Sequence, residues 1–233
     1  MSKVFPQWSN RLPLQLALYV VVLGGLVTAG ATYYFTPKYT RVGYAPVQPV
    51  PFNHALHTGQ LGLDCRYCHT AVDKGPHSTV PSAQTCMNCH SIIKKDSPLL
   101  ATVRASSDSG DPVPWVKIHQ APDFVYFNHS VHVARGVSCV ECHGNVTKAT
   151  DTVGLALLTS GPGQAEAIAQ QQPLSMSFCL DCHRAPASRI RNPKDVFDLN
   201  SQTLAAQGKA DEAAKLIAHM KVNPPQSCSG CHR

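Results

Sequence analysis

All ten cysteines of the chain fall in five copies of one pattern, C-x-x-C-H. The copies are Cys65-Arg66-Tyr67-Cys68-His69, Cys86-Met87-Asn88-Cys89-His90, Cys139-Val140-Glu141-Cys142-His143, Cys179-Leu180-Asp181-Cys182-His183 and Cys228-Ser229-Gly230-Cys231-His232. Two thiols three positions apart can each add to one vinyl group of a haem, while the next residue, His, turns back to ligate the iron. The ten cysteines are therefore read as attachment points for five covalently bound haem c groups. His69, His90, His143, His183 and His232 are read as the proximal iron ligands.

Zinc sites, iron–sulfur ligand runs, dithiol redox motifs and disulfide frameworks also use C-x-x-C. The fifth residue decides against them. Histidine makes up 12 of 233 residues, so five C-x-x-C pairs would all be followed by His by chance with a probability of roughly 10⁻⁶ or less. Zinc would also need the pairs to combine in twos, and a disulfide scaffold would need cysteines outside the motifs.

Seven histidines remain after the proximal five: His54, His57, His77, His119, His129, His132 and His219. Four of them stand in a duplicated block, Phe52-Asn53-His54-Ala55-Leu56-His57 and Phe127-Asn128-His129-Ser130-Val131-His132, each placed shortly before a C-x-x-C-H motif. Histidines three apart lie on adjacent faces of a helical turn and can serve two haems. His54, His57, His129 and His132 are accordingly read as distal ligands, with Phe52 and Phe127 packing on porphyrin faces. The fifth distal position is open between His119 and Met176, the latter three residues before Cys179. A Met ligand would raise the potential of its iron. His77, His219, Met87 and Met220 are weaker candidates.

The elements that position these groups are read as follows. Residues 14–35 form a run of 22 without a charge, long enough to cross a hydrocarbon core of about 30 Å as a helix. Trp8 precedes the run and Tyr33, Tyr34 and Phe35 close it, as in interfacial aromatic belts. A cleaved signal peptide is the alternative, since Ala29-Gly30-Ala31 has a cleavage-site look, but the run is longer than a usual signal core. Lys3 and Arg11 before it nearly balance Lys38 and Arg41 after it. Haem attachment outside the cytoplasm breaks the tie, placing residues 1–13 inside and the remainder outside the cytoplasmic membrane as a single-pass protein. Residues 36–51, with four prolines, read as an extended tether.

The expected architecture is mostly irregular and helical: a loop-rich multihaem domain over 52–233, with c7-like modules at 52–90 and 127–183 and the fifth haem within 193–233. The polar, Pro-containing span 95–126 reads as a surface excursion. So does 144–175, which carries Gly161-Pro162-Gly163 and the apolar stretch Gly154–Leu158. Asn200 is expected to cap a short helix ended by Gly208. A second helix over 211–220 places Ala213, Leu216, Ile217 and Met220 at helical spacing, for packing on a haem.

Composition agrees with a core filled by cofactors, being only 15% charged and 7% aromatic with 18 Pro and 15 Gly. The formal charge of +6 is offset by haem propionates, for which Arg66, Arg184 and Arg233 are natural partners. Nucleic-acid binding is therefore excluded as the reading of the basic balance.

The segments PFNHALHTGQLGLDCRYCHTAV, TCMNCH, PDFVYFNHSVHVARGVSCVECHG, SMSFCLDCHRAP and CSGCHR closely resemble the pentahaem cytochrome subunit of alternative complex III, a quinol:electron-acceptor oxidoreductase. The resemblance covers most of residues 51–192, and stretch 144–175 is longer than the family pattern. It implies that other subunits oxidise the quinol. It further implies an iron–sulfur subunit, a quinol-binding membrane subunit and a monohaem cytochrome c as neighbours, with a soluble cytochrome, a copper protein or a terminal oxidase as acceptor. Two other functions fit the residues less well. A nitrite- or hydroxylamine-converting enzyme needs an open iron, whereas distal candidates here are in surplus. A small multihaem membrane quinol dehydrogenase acting alone would handle quinol protons beside its anchor, and the span holds no charged residue.

Overall fold

The computed structural model describes residues 6–35, 42–148 and 168–232. The parts of the tether at 36–41 and of the second excursion at 149–167, with Gly154–Leu158 and Gly161-Pro162-Gly163, lie outside the described residues, as do residues 1–5 and Arg233. The chain divides into two compact units, Met1–Arg41 and Val42–Arg233.

The first unit is a 3₁₀ turn, Gln7–Asn10, leading into helix α1, Leu12–Phe35. Pro13 falls in the first helical turn, where its missing N–H costs nothing. The 24 residues of α1 span about 36 Å, enough for a hydrocarbon core. Its large apolar side chains point outward all round the helix, with Leu14 75% and Val21 71% exposed. A helix apolar on every face is suited to lipid.

The described part of the second unit is built from short helices. They are α2 (Cys65–Cys68), α3 (Ala83–His90), α4 (Ala101–Ser109), α5 (His129–Ala134), α6 (Val140–His143), α7 (Met176–Arg184), α8 (Ala210–His219) and α9 (Cys228–Cys231), plus a π-helical turn at Ala55–Gln60. Among the described residues β-pairing is limited to two isolated antiparallel bridges, Val125 with His232 and Val137 with Ile190. The mostly irregular and helical class expected from the sequence is the one observed.

Among the described residues, side chains alone make two small cores, besides the buried pair Ala45 and Ala169. Val50, Ala83, Val103 and Val113 pack together with Cys86, Met87, Leu100 and Trp115 around them. Ile190, Leu204 and Ala213 form the other, with Val137, Ala187, Leu216 and Ile217. The first overturns the reading of 95–126 as a surface excursion. Val103 is 2% exposed and sits on α4, which packs on α3. Ser106, one turn later, is buried too, its hydroxyl donating to Asp111 O. Small side chains let α4 lie close to α3, so no large apolar periodicity marks it. Gly110, at φ +82, ends α4 in the left-handed conformation.

One C-terminal expectation is corrected as well. Residues 200–208 form turns rather than a capped helix, because Leu204 N is drawn to Ile190 O at 3.0 Å and Leu204 is buried. Helix α8 does form, with Asp211 and Glu212 in its first turn and His219 in its last, the signs its dipole favours. Its apolar face, Ala213, Leu216 and Ile217, packs on the protein core at Ile190 and Leu204.

Candidate haem-ligand site

Each C-x-x-C-H motif lies on or against a short helix, so its two thiols share a face and its His follows one turn after the first. Side chains cap several of these turns. Asp64 Oδ1 accepts from Arg66 N at 2.8 Å ahead of α2, and Ser175 Oγ accepts from Phe178 N at 3.4 Å ahead of α7. None of the ten cysteines, all of them among the described residues, is paired in a disulfide. Burial raises the pKa of those in the interior, Cys139 to about 11 and Cys142 to about 12. The thiols also sense one another: Cys68 with Cys86, Cys65 with Cys139, Cys142 with Cys179 and Cys182, and Cys179 with Cys231.

The imidazoles are held by main-chain carbonyls. Nδ1 of His69 lies 2.7 Å from Thr79 O, that of His90 2.9 Å from Ile93 O, and that of His183 2.7 Å from Pro225 O. On the distal side, Nδ1 of His57 meets Asn53 O at 2.7 Å, that of His132 meets Asn128 O at 2.7 Å, and that of His129 meets Pro76 O at 2.8 Å. A carbonyl only accepts, so Nδ1 must be the protonated nitrogen in all six. Nε2 is then left with a lone pair directed away from the backbone, the form in which imidazole binds a metal. Thr79 holds a left-handed φ of +58. That conformation is strained for a β-branched residue, and strain of this kind gathers at functional sites.

The duplicated F-N-H-x-x-H blocks adopt one geometry twice. Phe52 stacks on His57 at 4.4 Å and meets His54 edge-on at 4.7 Å. Phe127 stacks on His132 at 4.7 Å and meets His129 edge-on at 4.8 Å. The phenyl rings thus buttress the histidines. The Asn supplies the carbonyl for the second His and starts the turn with its side chain, Asn53 Oδ1 accepting from Leu56 N and Asn128 Oδ1 from Ser130 Oγ.

Ring separations test whether the residues fit haem iron. A metal–imidazole bond is about 2.0–2.1 Å, which puts the ring centres of two trans ligands a little over 6 Å apart. The His57 and His90 centroids are 6.2 Å apart and those of His132 and His183 are 6.3 Å apart. Each pair could supply two of the six ligands of an iron whose other four would come from a porphyrin. These residues fit the group.

Of the remaining candidates, His54, His119 and His129 gather near the first and third motifs. His143 is driven down to about 3 by burial, then by the neighbouring His119, His129, His69 and His54. His54 falls to about 4 for the same reasons, burial first and then His69 and His57. Burial thus favours the neutral imidazole in both, the form able to bind a metal. His119 lies 4.3 Å from His143 between centroids, too close for an iron between the rings as they stand, and its buried Nε2 has no hydrogen-bond partner among the described residues. Met176 is 63% exposed at the start of α7. His77 and His219 are exposed. His232 stacks against Phe124 at 5.7 Å.

Arg66 is engaged by Asp64 at 2.7 Å and lies 4.6 Å over the Phe197 ring. Glu141, inside the third motif, binds Arg191 at 2.7 Å and Arg189 at 3.2 Å, with the Arg191 side chain only 6% exposed. The sequence reading missed the Glu141 pairing and every carbonyl acceptor. Backbone groups carry no residue signature, although the Asn repeated in both blocks was a visible signal.

Attachment thiols set beside main-chain-oriented imidazoles are the construction of a c-type cytochrome, and comparison with known proteins agrees. Residues 125–233 match the family described as cytochrome c7 and related cytochrome c, and residues 35–110 match the class III cytochrome c family. The chain is a multihaem c-type cytochrome with covalently bound haem c. Among curated proteins it is similar to the multiheme cytochrome c subunit of menaquinone reductase from Nitratidesulfovibrio vulgaris (strain Hildenborough), at 34% identity over 97 residues. That match covers 41% of this chain and 45% of the relative, so it spans less than half of the relative's length.

Proposed function

We propose that this chain is the electron-transfer subunit of a quinol-oxidising membrane complex of the alternative complex III type, carrying electrons through five haems to a periplasmic or membrane acceptor. The observation that carries this reading is the pair of imidazole couples at 6.2 and 6.3 Å. An iron held on both faces has no position for a substrate, so it exchanges electrons and does no bond chemistry. His57 with His90 and His132 with His183 are assigned as two such couples. His69, His143 and His232 are the other proximal ligands, with His54, His129 and either His119 or Met176 as their distal candidates.

The haem supplies a one-electron couple when bound. The chain's own residues do the rest. Carbonyls of Asn53, Asn128, Thr79, Ile93 and Pro225 orient the imidazoles and increase their basicity through Nδ1. Phe52 and Phe127 wall off the second His of each block from water. Helix α1 serves as the anchor, with the haem unit outside the cytoplasm and the iron–sulfur, quinol-binding and monohaem subunits as neighbours.

The relative's name gives a second direction of flow, into menaquinone instead of out of a quinol. A conduit serves either, since partner potentials set the direction. The test is purification of the native complex: five haems per chain and quinol-dependent haem reduction are expected. Haem reduction only by a periplasmic donor, followed by menaquinone reduction, would select the second direction. Quinol oxidation by this chain isolated from all partners would overturn the subunit reading in favour of a stand-alone dehydrogenase.

A further inference from the structure

We propose, resting on the conduit reading above, that the attachment sites follow one another in space in the order 86–90, 65–69, 139–143, 179–183, 228–232. The second motif in sequence, and not the first, is then one end of the wire. Each link is a direct contact. Asn88 Nδ2, inside the second motif, donates to Tyr67 OH, inside the first, at 3.0 Å. The first motif meets the third through the segments that flank them. Gly59, just ahead of α2, has Thr147 O, just past His143, where a Cβ would stand. The start of α5 closes the same junction: His129 N donates to Pro76 O at 3.2 Å and Ser130 N to Gly75 O at 3.1 Å, on the loop that follows the first motif.

Glu141 carries the order onward, pairing from within the third motif with Arg189 just past the fourth at 3.2 Å. His183 of the fourth motif donates from Nδ1 to Pro225 O at 2.7 Å, immediately ahead of the fifth, and Gln226 Nε2 returns a bond to His183 O at 3.4 Å. Exposure follows too. Cys89 and Cys228, in the two terminal motifs, are exposed, whereas Cys139 and Cys142 in the middle one are partly buried; Cys179 is the one interior exception.

The order explains the long connection from His90 to Cys139. The chain must turn at one end of the wire and run back past the first motif to reach the third. Helix α4 makes the turn against α3. The returning segment is then fastened to the residues before the first module, Gln48 Nε2 donating to Val116 O at 2.8 Å while Val116 N donates to Gln48 Oε1 at 2.9 Å.

The test is to locate the irons of the haem-loaded full chain by anomalous scattering at the iron edge, assigning each to its motif by its thioethers. The expected result places the iron of 65–69 between those of 86–90 and 139–143. An iron of 86–90 lying nearer to that of 139–143 than the iron of 65–69 does would overturn the order. A solution readout is EPR of the oxidised H57A chain, in which only the signal of the haem at 65–69 should change besides that of the altered haem. Perturbation of the haem at 139–143 without that at 65–69 refutes the order. Both measurements read position, so they stand or fall independently of whether quinol reduces the haems.

Discussion

Replacing His57 by Ala should leave one haem in five without its sixth ligand, and the haem affected should be the one attached at Cys86 and Cys89. The His57 ring stands 6.2 Å from that of His90, the spacing of a shared iron, and is fixed by Asn53 O at 2.7 Å and by Phe52 stacked at 4.4 Å. The substitution leaves Phe52, which has no lone pair, beside the gap. Oxidised spectra should then show high-spin intensity of about one fifth of the total, and the reduced protein should bind about one carbon monoxide per chain. H77A, at an exposed His, is the control and should remain fully low-spin. Retention of five low-spin haems in H57A, with folding intact, would refute the ligand assignment and with it the reading of the F-N-H-x-x-H block. High-spin character on the haem at 179–183 would show instead that the two blocks serve each other's motifs.

The substitution Glu141→Gln strands Arg191, 5% exposed, without its counter-charge, and should lower stability by about 3–5 kcal/mol; adding Arg191→Met to it should recover much of the loss in thermal unfolding. Asn53→Ala should cost about 1 kcal/mol as a lost cap yet leave the spectrum low-spin, because the acceptor for His57 is the main-chain oxygen. Gly136→Ala meets a φ of +84 and the Arg191 carbonyl, and should destabilise the haem unit by at least about 1–2 kcal/mol, read as a lower midpoint in denaturant unfolding. Expression of Val42–Arg233 alone with an export signal should yield a soluble protein with an unchanged haem spectrum, as expected of a unit compact in itself.

The ligand chemistry is legible because it is written in residue types. Cys and His at fixed spacing, and the repeated F-N-H-x-x-H, name the imidazoles that the structure brings into pairs. The anchor is legible from length and apolarity, and the helix begins two residues before the expected boundary. What the sequence hides are contacts of small or backbone groups. Helix α4 reads as a loop because Val103 and Ser106, not Leu and Phe, form its buried side. The supposed helix ending at Gly208 gives way to turns because the main chain at Leu204 bonds to Ile190 instead of to itself. Phe52 and Phe127 stand out in the sequence, but their stacking on the second His of each block does not, since nothing in a linear pattern says which ring an aromatic side chain meets.

The carbonyl acceptors behind the imidazoles have a consequence for how such a protein can change. A side-chain acceptor is deleted by one substitution, but the oxygens of Thr79, Ile93 and Pro225 survive any replacement at those positions. The redox properties they influence respond only to movement of the loops that carry them. Substitutions in a loop such as 75–80, which holds the acceptors for both His69 and His129, would therefore retune two ligands together, whereas the surface facing a partner can drift freely without disturbing any.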